Sequence, residues 1–299
     1  MSEIIRIGTR GSKLAIAQAT KVRELITTAN PDQNVQIIII STAGDQNKTD
    51  SLAKIGGKGV FAKEIQEALL TNTIDIAVHS MKDLTSRPPE ELRLSGFLDP
   101  ESTSDVLVSK HGLTLEKLPE GATIATGSMR RRALIRRLRP DIQLVDIRGN
   151  VDSRLEKLKT EKIDAILLSE AGLIRLNLQH HIHERFNPES FLPAPGQGVI
   201  ALETRANDDR SHDICESISD PAQSQISRIE YEVLKGLNFN CSIPLGMHTI
   251  LKENRLHITL GIETSGNIWK QWQVDYPRST AQDDIQGLIG DVVRVLEQS

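Results

Sequence analysis

Short apolar runs alternate with segments of helical periodicity up to about residue 200. Apolar runs bounded by turn residues predict buried strands, and apolar positions at helical spacing predict helices that bury one face. Ser12 stands at the N-cap position of the first helix, where a hydroxyl group can accept a backbone N–H. The predicted strands are residues 4–8, 35–41, 74–79, 105–109, 122–126, 144–148, 163–169 and 199–203, and the predicted helices are 13–29, 60–70, 127–138, 151–159 and one that begins at Glu170.

The pattern changes after about residue 220. Strand–helix alternation before this point implies parallel sheets with right-handed crossovers. Ligands of such sheets bind beyond the carboxyl ends of the strands. The alternation is broken at residues 99–100 and again at 192–198, which marks candidate boundaries. The remaining segment predicts an α+β domain, with helices at 224–237 and 285–296 and strands at 256–262 and 269–274.

The composition is ordinary for a globular protein and argues against several classes of partner. Charged residues make up 25% of the 299 residues, and the formal net charge is -4. This balance argues against a general nucleic-acid-binding or membrane-surface protein. The chain has no apolar run that could span a bilayer and no signal-peptide pattern. Its two cysteines, Cys215 and Cys241, cannot form a disulfide framework. We therefore expect a cytoplasmic protein with no membrane partner.

Arginine is concentrated between Thr126 and Arg175, with nine residues at positions 130, 131, 132, 136, 137, 139, 148, 154 and 175. Several of them stand where a predicted strand passes into a helix. A cation at a helix N-terminus is unfavourable unless an anion fills the space. The planar guanidinium suits carboxylates and phosphates. The pattern predicts an anion-binding site formed by Arg10, Arg130, Arg131, Arg148 and Arg154.

Two alternatives exist for these arginines. A solvated helix face is favoured for Arg136, Arg137 and Arg139, which lie in the middle of the predicted helix or later and can pair with solvent or acids. Nucleic-acid binding would call for stacking aromatic side chains or an exposed recognition element. Residues 126–175 contain no aromatic side chain, so we expect no nucleic-acid partner.

Asp83 follows the predicted strand at residues 74–79. In a cationic cleft its carboxylate stays ionised, and it can stabilise a developing cation or exchange a proton with a leaving amine. The alternative is a helix-capping aspartate paired with Lys82.

The cysteines, histidines and one glycine-rich segment are open to structural interpretations. Cys241, in a turn-like stretch, and Cys215, in a helical pattern, could both be small buried side chains. His180, His181 and His183 have the wrong spacing for one helix face, and we expect no metal. The segment at 56–59 lacks phosphate-loop spacing and predicts a flexible lid or hinge.

Seven motifs follow one another along most of the chain: Arg6-Ile-Gly-Thr-Arg-Gly-Ser12, Gly56-Gly-Lys-Gly-Val-Phe-Ala-Lys-Glu64, Val78-His-Ser-Met-Lys-Asp83, Thr126-Gly-Ser-Met-Arg-Arg131, Arg148-Gly-Asn-Val-Asp-Ser-Arg154, Ala171-Gly-Leu-Ile-Arg175 and Pro193-Ala-Pro-Gly-Gln-Gly198. Cys241 comes after them. Together, in this order, they resemble the porphobilinogen deaminase (hydroxymethylbilane synthase) family of tetrapyrrole biosynthesis.

The resemblance implies an α/β fold: two periplasmic-binding-protein-like domains with a central cleft, plus a smaller C-terminal α+β domain. The implied domains are residues 1–98 with 199–217, residues 104–192, and residues 220–299 with the cofactor cysteine. It also implies a monomeric transferase. Porphobilinogen units are deaminated, with release of ammonia, and joined stepwise into the linear tetrapyrrole hydroxymethylbilane. They are added to one covalent dipyrromethane cofactor per chain, held by a thioether on Cys241.

The resemblance also implies roles for individual residues. Asp83 would be catalytic, contacting pyrrole N–H groups and stabilising the cation formed as ammonia leaves. The implied cofactor contacts are Ser80, Lys82, Thr126, Ser128, Arg130, Arg131, Arg148 and Arg154. The implied substrate contacts are Arg10, Ser12, Arg148, Arg154 and Arg175, and the implied flap contains Lys54, Gly56, Gly57, Lys58 and Gly59.

The sequence departs from the family pattern immediately before Cys241. Two glycines usually stand there, and this chain has Phe239-Asn240. Glycine permits φ values that Phe does not readily adopt. A catalytically weak or silent paralogue that binds a polycarboxylate anion is therefore the alternative function. The presence of Asp83, Cys241 and the main arginines favours an active enzyme.

Overall fold

The computed structural model describes residues 4–42, 62–238 and 243–297. The backbone divides into two compact units. Unit 1 comprises Met1–Pro100 with Gly198–Ser227, and unit 2 comprises Glu101–Gln197 with Arg228–Ser299. The three-domain division expected from the sequence stays a prediction. Within the described ranges, no helix is both long and apolar enough to cross a membrane.

The described helices and strands largely follow the sequence pattern. In chain order they are β1 (Ile5–Arg10), α1 (Lys13–Ala29), β2 (Val35–Ile40), α2 (Lys63–Leu70), β3 (Ile76–Ser80), β4 (Leu92–Leu98), β5 (Asp105–Ser109), β6 (Thr123–Ala125), α3 (Met129–Leu138), β7 (Gln143–Val145), α4 (Val151–Thr160), β8 (Ala165–Ser169), α5 (Glu170–Arg175), β9 (Glu184–Arg185), β10 (Ile200–Arg205), α6 (Asp209–Ser217), α7 (Pro221–Gly236), β11 (Leu245–Lys252), β12 (Arg255–Thr264), β13 (Ile268–Pro277) and α8 (Ala281–Glu297).

Unit 1 contains a five-stranded sheet in the order β2-β1-β3-β10-β4. Apolar side chains of α1 and Cys215 of α6 pack against one face, and those of α2 pack against the other. Every residue of β3 except the last is buried, as expected for a strand covered on both faces. The α/β architecture predicted from the sequence is confirmed.

Unit 2 contains a second sheet of the same design, in the order β7-β6-β8-β5-β9. Helix α3 packs against one face and α4 against the other. Successive side chains of a strand point to opposite faces. In β5, Leu107 therefore joins the apolar cluster of α3, and Val106 and Val108 join that of α4.

One strand in each sheet runs antiparallel to its neighbours, which corrects the expectation of parallel sheets. In unit 1, β10 begins with Ile200 opposite Ser80, the last residue of β3. In unit 2, β5 begins with Asp105 opposite Ser169, the last residue of β8. Each of these strands enters its sheet at the carboxyl end of a neighbour, and for that reason runs in the opposite direction. Its first residues consequently lie at the edge where α/β sheets bind ligands.

The C-terminal part of unit 2 has the predicted α+β character. Strands β11, β12 and β13 form an antiparallel sheet, and α8 closes the described chain with Ile285, Leu288 and Val292 buried. Trp269 of β13 packs against the apolar cluster of α3. This sheet is therefore joined to the arginine-bearing helix by apolar contact.

Candidate functional site

Asp83 lies just beyond the carboxyl end of β3, in a short 3-10 helix formed by Met81–Asp83. The N-cap position of this helix is held by Ser80 rather than by Asp83. This placement does not support a helix-capping role for Asp83. The Asp83 side chain is exposed, and Lys82 is half-buried. A carboxylate at this position can reach a ligand at the edge of the sheet.

The structure places three further predicted residues of unit 1, Arg10, Ser12 and Ser80, on or next to neighbouring elements. The hydroxyl of Ser12 caps α1 and accepts the backbone N–H of Ala15 at 3.3 Å, which confirms the predicted cap. The hydroxyl of Ser80 accepts an N–H from the Gln18 side chain of the same helix at 2.9 Å. Arg10 is the last residue of β1 and is half-buried. The end of β3 is thereby tied to the helix that follows Arg10.

Two predicted arginines of unit 2, Arg130 and Arg131, bind a carboxylate of the chain itself. Nη1 of Arg130 donates to Oδ2 of Asp105 at 2.5 Å. Nε and Nη2 of Arg131 lie 2.8 and 2.6 Å from Oδ1 of the same residue. The relative exposures are 0% for Asp105, 4% for Arg130 and 6% for Arg131. The three charges therefore form one buried cluster.

The ionisation of this cluster follows from its geometry. Burial alone would raise the pKa of Asp105, but Arg130 and Arg131 outweigh it and hold that pKa below the ordinary value. Burial lowers the pKa of Arg131, and the Asp105 carboxylate opposes this effect. Asp105 is consequently an ionised counter-ion to both guanidinium groups.

Thr126 and Ser128 shape the N-terminus of α3, beside the arginine pair. Ser128 is the N-cap residue, and its hydroxyl accepts the N–H of Arg131 at 3.4 Å. Thr126 is buried, and its hydroxyl accepts the N–H of Ser128 at 3.2 Å. Both predicted residues thus position the first turn of the helix that carries the arginines.

Arg148 lies in a tight loop between β7 and α4, and Arg154 lies in the helix that follows this loop. Gly149 has a φ of +107°, which only glycine adopts readily. Nε of Arg154 donates to the carbonyl oxygen of Gly149 at 2.8 Å. This bond ties the Arg154 side chain to the backbone of the residue that follows Arg148, and both arginines are half-buried.

Arg175 ends α5 and forms an ion pair with Glu101. On the same short helix, Glu170 accepts a hydrogen bond from the Ser102 hydroxyl at 2.8 Å and pairs with Arg185. Predicted ligand-binding arginines are thus paired twice with carboxylates of the chain itself, through Glu101 in the segment before β5 and through Asp105 at its first position.

The arginines for which the sequence favours a solvated face have specific partners. Arg136 donates to Glu263 of β12 at 2.7 and 2.9 Å, and Arg137 lies over the ring of Trp269, 5.3 Å from its centroid. Arg139 binds both carboxylate oxygens of Asp141 at 2.7 and 2.6 Å. These three arginines serve the packing of α3 within unit 2.

Several sequence predictions lie outside the described residues. They concern Cys241 and the proposed flap residues Lys54, Gly56, Gly57, Lys58 and Gly59. Cys215, by contrast, is fully buried, and burial raises the pKa of its thiol. His183 accepts the backbone N–H of Ser109 at 3.0 Å. The described ranges contain no group of three or more residues that could hold a metal.

Sequence reasoning missed Asp105, Glu101 and Gln197 as parts of this arrangement. The side-chain amide of Gln197 donates to Asp105 at 3.1 Å and to the carbonyl oxygen of Thr103 at 2.7 Å. An acid that opens an otherwise apolar strand, as in Asp105-Val-Leu-Val-Ser, was the available signal, because a buried acid requires a cation or hydrogen-bond donors.

The fold and these donors define an α/β protein with guanidinium groups at the carboxyl ends of its strands, a class of structure suited to organic anions. Residues 5–213 match the family model described as porphobilinogen deaminase, dipyromethane cofactor binding domain. The chain therefore belongs to the porphobilinogen deaminase family.

Similar proteins cover most of the chain. The porphobilinogen deaminase of Deinococcus radiodurans is 44% identical over 84% of this chain and 82% of its own length. That of Syntrophobacter fumaroxidans is 40% identical over 86% and 83%, respectively. Among solved structures, the methionine binding protein MetQ matches 77% of this chain and 95% of its own, at 10% identity and a TM-score of 0.45.

Proposed function

We propose that this chain is a porphobilinogen deaminase: a transferase that joins porphobilinogen units into the linear tetrapyrrole hydroxymethylbilane. Each addition forms a carbon–carbon bond and releases ammonia, and a final hydrolysis releases the product. The family match over residues 5–213 carries the proposal. The guanidinium groups at the strand ends support it, because every pyrrole ring of the substrate brings two carboxylates.

The donor set of unit 2 fits a dipyrromethane cofactor. Nε of Arg130 is buried and has no hydrogen-bond partner among the described residues, so the cationic cluster retains a donor for a ligand carboxylate. The residues of unit 2 that would hold the cofactor are Thr126, Ser128, Arg130, Arg131, Arg148 and Arg154, and Ser80 and Lys82 of unit 1 are proposed as further contacts. When bound, the cofactor supplies the pyrrole carbon to which substrate is joined. Its attachment through Cys241 is part of the proposal, although that residue lies outside the described ranges.

The other residues act on the incoming substrate. Arg10, Ser12, Arg148, Arg154 and Arg175 would bind its carboxylates. The carboxylate of Asp83 would accept pyrrole N–H hydrogen bonds and stabilise the positive charge that develops as ammonia leaves. The segment with Lys54, Gly56, Gly57, Lys58 and Gly59 is proposed as a flap that excludes water.

Intact mass tests the proposal directly. The purified chain, after exposure to porphobilinogen, should be heavier than its sequence by one dipyrromethane unit and should release ammonia. The Cys241→Ser variant should keep the sequence mass. An unmodified, inactive wild-type chain would overturn the proposal and favour a silent polycarboxylate-binding paralogue instead.

Asp83→Ala should keep the fold, because the Asp83 side chain is exposed, and should lose turnover by roughly a hundredfold. Glu90→Gln, an exposed change in the same loop, is the matched control and should turn over normally. Near-normal turnover of Asp83→Ala would remove the catalytic role of this carboxylate.

We further propose that the protein acts as a cytoplasmic monomer without a nucleic-acid partner. The net charge of -4 and the absence of aromatic residues from positions 126–175 support the last point. Sedimentation at assay concentration should give the mass of one chain, 33.1 kDa plus the cofactor. A stable dimer would contradict this proposal without affecting the proposed reaction.

A further inference from the structure

The Asp105 carboxylate holds both guanidinium groups in fixed planes. Besides the short contact with Nη1 of Arg130, Oδ1 accepts from Nη2 of Arg130 at 3.3 Å, so Arg130 is bound through two nitrogens. Arg131 is likewise bound through two, Nε and Nη2. Carbonyl oxygens complete the arrangement: Leu192 accepts from Arg130 at 2.7 Å and Leu167 from Arg131 at 2.9 Å.

The topology of unit 2 explains why these three residues meet. Asp105 opens the antiparallel strand β5 and lies opposite Ser169, at the carboxyl end of β8. Helix α3 begins soon after the carboxyl end of β6, which pairs with β8, and it carries Arg130 and Arg131 in its first turn. An antiparallel strand is therefore what brings an acid to the edge at which the arginines gather.

The charges of the cluster do not balance. Two guanidinium groups share one carboxylate, and all three side chains are more than nine-tenths buried. The helix N-terminus adds further positive potential. An uncompensated buried charge is unfavourable, and Nε of Arg130 has no partner among the described residues. The excess positive charge and the unpartnered Nε both indicate that the cluster can bind one further anionic group.

We propose that Asp105 is the positioning residue for Arg130 and Arg131: it orients both guanidinium groups and leaves the pair one net positive charge for a single ligand carboxylate. This inference rests on the proposed function, in which that carboxylate belongs to the dipyrromethane cofactor. Without Asp105, the two cations would repel each other and lose their common orientation. With Asp105 present, both guanidinium groups are already oriented before the ligand binds.

Gln197 connects the orientation of Asp105 to the segment before β10. Its side-chain amide bonds Asp105 and the carbonyl oxygen of Thr103, so it links the segments that precede β5 and β10. The orientation of Asp105, and through it of the arginine pair, thus depends on the geometry of both segments.

Asp105→Asn tests the proposal, with Asp141→Asn as the matched control. Asp141 binds Arg139 through two nitrogens beyond the other end of α3 and has no proposed ligand role. Both variants should lose stability, so they are compared at a temperature where each is fully folded by circular dichroism. The fraction carrying cofactor is read from intact mass. It should fall roughly ten- to a hundredfold in Asp105→Asn, because misplaced binding groups are costly, and stay normal in Asp141→Asn.

Gln197→Met keeps the proposal testable if Asp105→Asn does not fold. It removes the amide donor but leaves all three charges in place. We expect the fraction carrying cofactor to fall about threefold, since the hydrogen bonds to Asp105 and to the carbonyl oxygen of Thr103 are both lost. Normal cofactor loading of a folded Asp105→Asn, parallel loss in Asp141→Asn, or normal cofactor loading of Gln197→Met would each overturn the positioning role. Failure of the proposed function is distinct, because the wild-type chain itself would then carry no cofactor.

Discussion

Glu230 is a buried carboxyl group of α7 that contacts the segment before β10. One of its oxygens accepts the backbone N–H of Gly196 at 2.6 Å. Burial outweighs this hydrogen bond and raises the pKa of Glu230 from 4.5 to about 7. The folded protein therefore holds this proton more tightly than the unfolded chain, and the difference makes stability depend on pH.

We expect Glu230→Gln to remove part of that pH dependence. Between pH 4.5 and about 7 folding takes up a proton at Glu230, so its contribution to the free energy of unfolding falls as the pH rises through this window. It is constant above and below the window. The loss amounts to at most about 3 kcal/mol. Glutamine keeps an acceptor for Gly196 and does not titrate, so denaturant unfolding at pH 5 and pH 8 should differ less for the variant than for wild type.

Glu232→Gln is the control for this prediction. Glu232 lies on the same helix and pairs with Lys235 at 3.0 Å, on a partly exposed surface. Its variant should keep the wild-type pH dependence. Equal pH dependence of Glu230→Gln and wild type would show that the buried carboxyl group is not the cause.

Individual residues were predictable from the sequence where their role is local. The N-caps illustrate this, because Ser12 acts on a backbone N–H three residues further on. Asp105 is the opposite case: its partners Arg130 and Arg131 lie 25 and 26 positions away. The arginines were recognisable by type and spacing, but their internal partner depends on strand order.

Among the elements, the loop between β7 and α4 depends most visibly on a glycine. A Cβ at Gly149 would lie 2.9 Å from the Cβ of Ser153, and the backbone φ is +107°. We expect Gly149→Ala to lower the free energy of unfolding by about 1–3 kcal/mol. It should also raise the KM for porphobilinogen, because the loop positions Arg148 and Arg154. Denaturant unfolding and steady-state kinetics measure the two effects.

Gly287→Ala should change the free energy of unfolding in the opposite direction to Gly149→Ala. Gly287 lies inside α8, and a Cβ there would meet nothing within 4 Å. Alanine at this position should stabilise the protein by about 0.5–1 kcal/mol and leave the KM unchanged. If Gly149→Ala were equally harmless, the loop would not require its left-handed backbone.

Elements with a clear period were predicted well, and those under tertiary constraint were not. The bounds of α1 agree with the prediction, whereas β4 was missed because Ser95 and Gly96 interrupt its apolar pattern. The structure supplies the reason for the glycine: a Cβ at Gly96 would lie 2.5 Å from Oγ of Ser219 and 2.8 Å from the carbonyl oxygen of Cys215. The chain around Cys215 and Ser219 approaches β4 so closely that only glycine fits at position 96, although glycine has a low propensity for strands.

For the whole molecule, the sequence indicated the α/β class but not the direction of every strand. Alternation along the chain predicts parallel neighbours, and β1, β2 and β3 obey it. Strands β5 and β10 do not, because each follows a break in the alternation and enters its sheet at the carboxyl edge. The same breaks at residues 99–100 and 192–198 were visible in the sequence, but their effect on strand direction was not.

The distribution of charge over the whole chain gives the last prediction. The net charge is -4, yet nine arginines lie between Thr126 and Arg175, and a polycarboxylate substrate would be attracted locally by a protein that repels anions overall. Salt screens the half-buried groups Arg10, Arg148 and Arg154 far more than the buried pair. We therefore expect the KM for porphobilinogen to rise about three- to tenfold between roughly 50 and 500 mM salt, with kcat changing less than about twofold.

Sucrose at matched osmolality should leave both constants unchanged, which separates screening from a general solvent effect. Duplex DNA should not inhibit the reaction. If the arginine-bearing helix bound nucleic acid, DNA would compete with the substrate for the same arginines, and this inhibition would weaken steeply as salt is added. A kcat that falls with salt while KM stays constant would place the salt-sensitive charges at the reacting groups rather than at the carboxylate contacts. In that event Asp83, the exposed carboxylate beyond β3, would be the charge to examine first, because its proposed partner is a cation that forms only during the reaction.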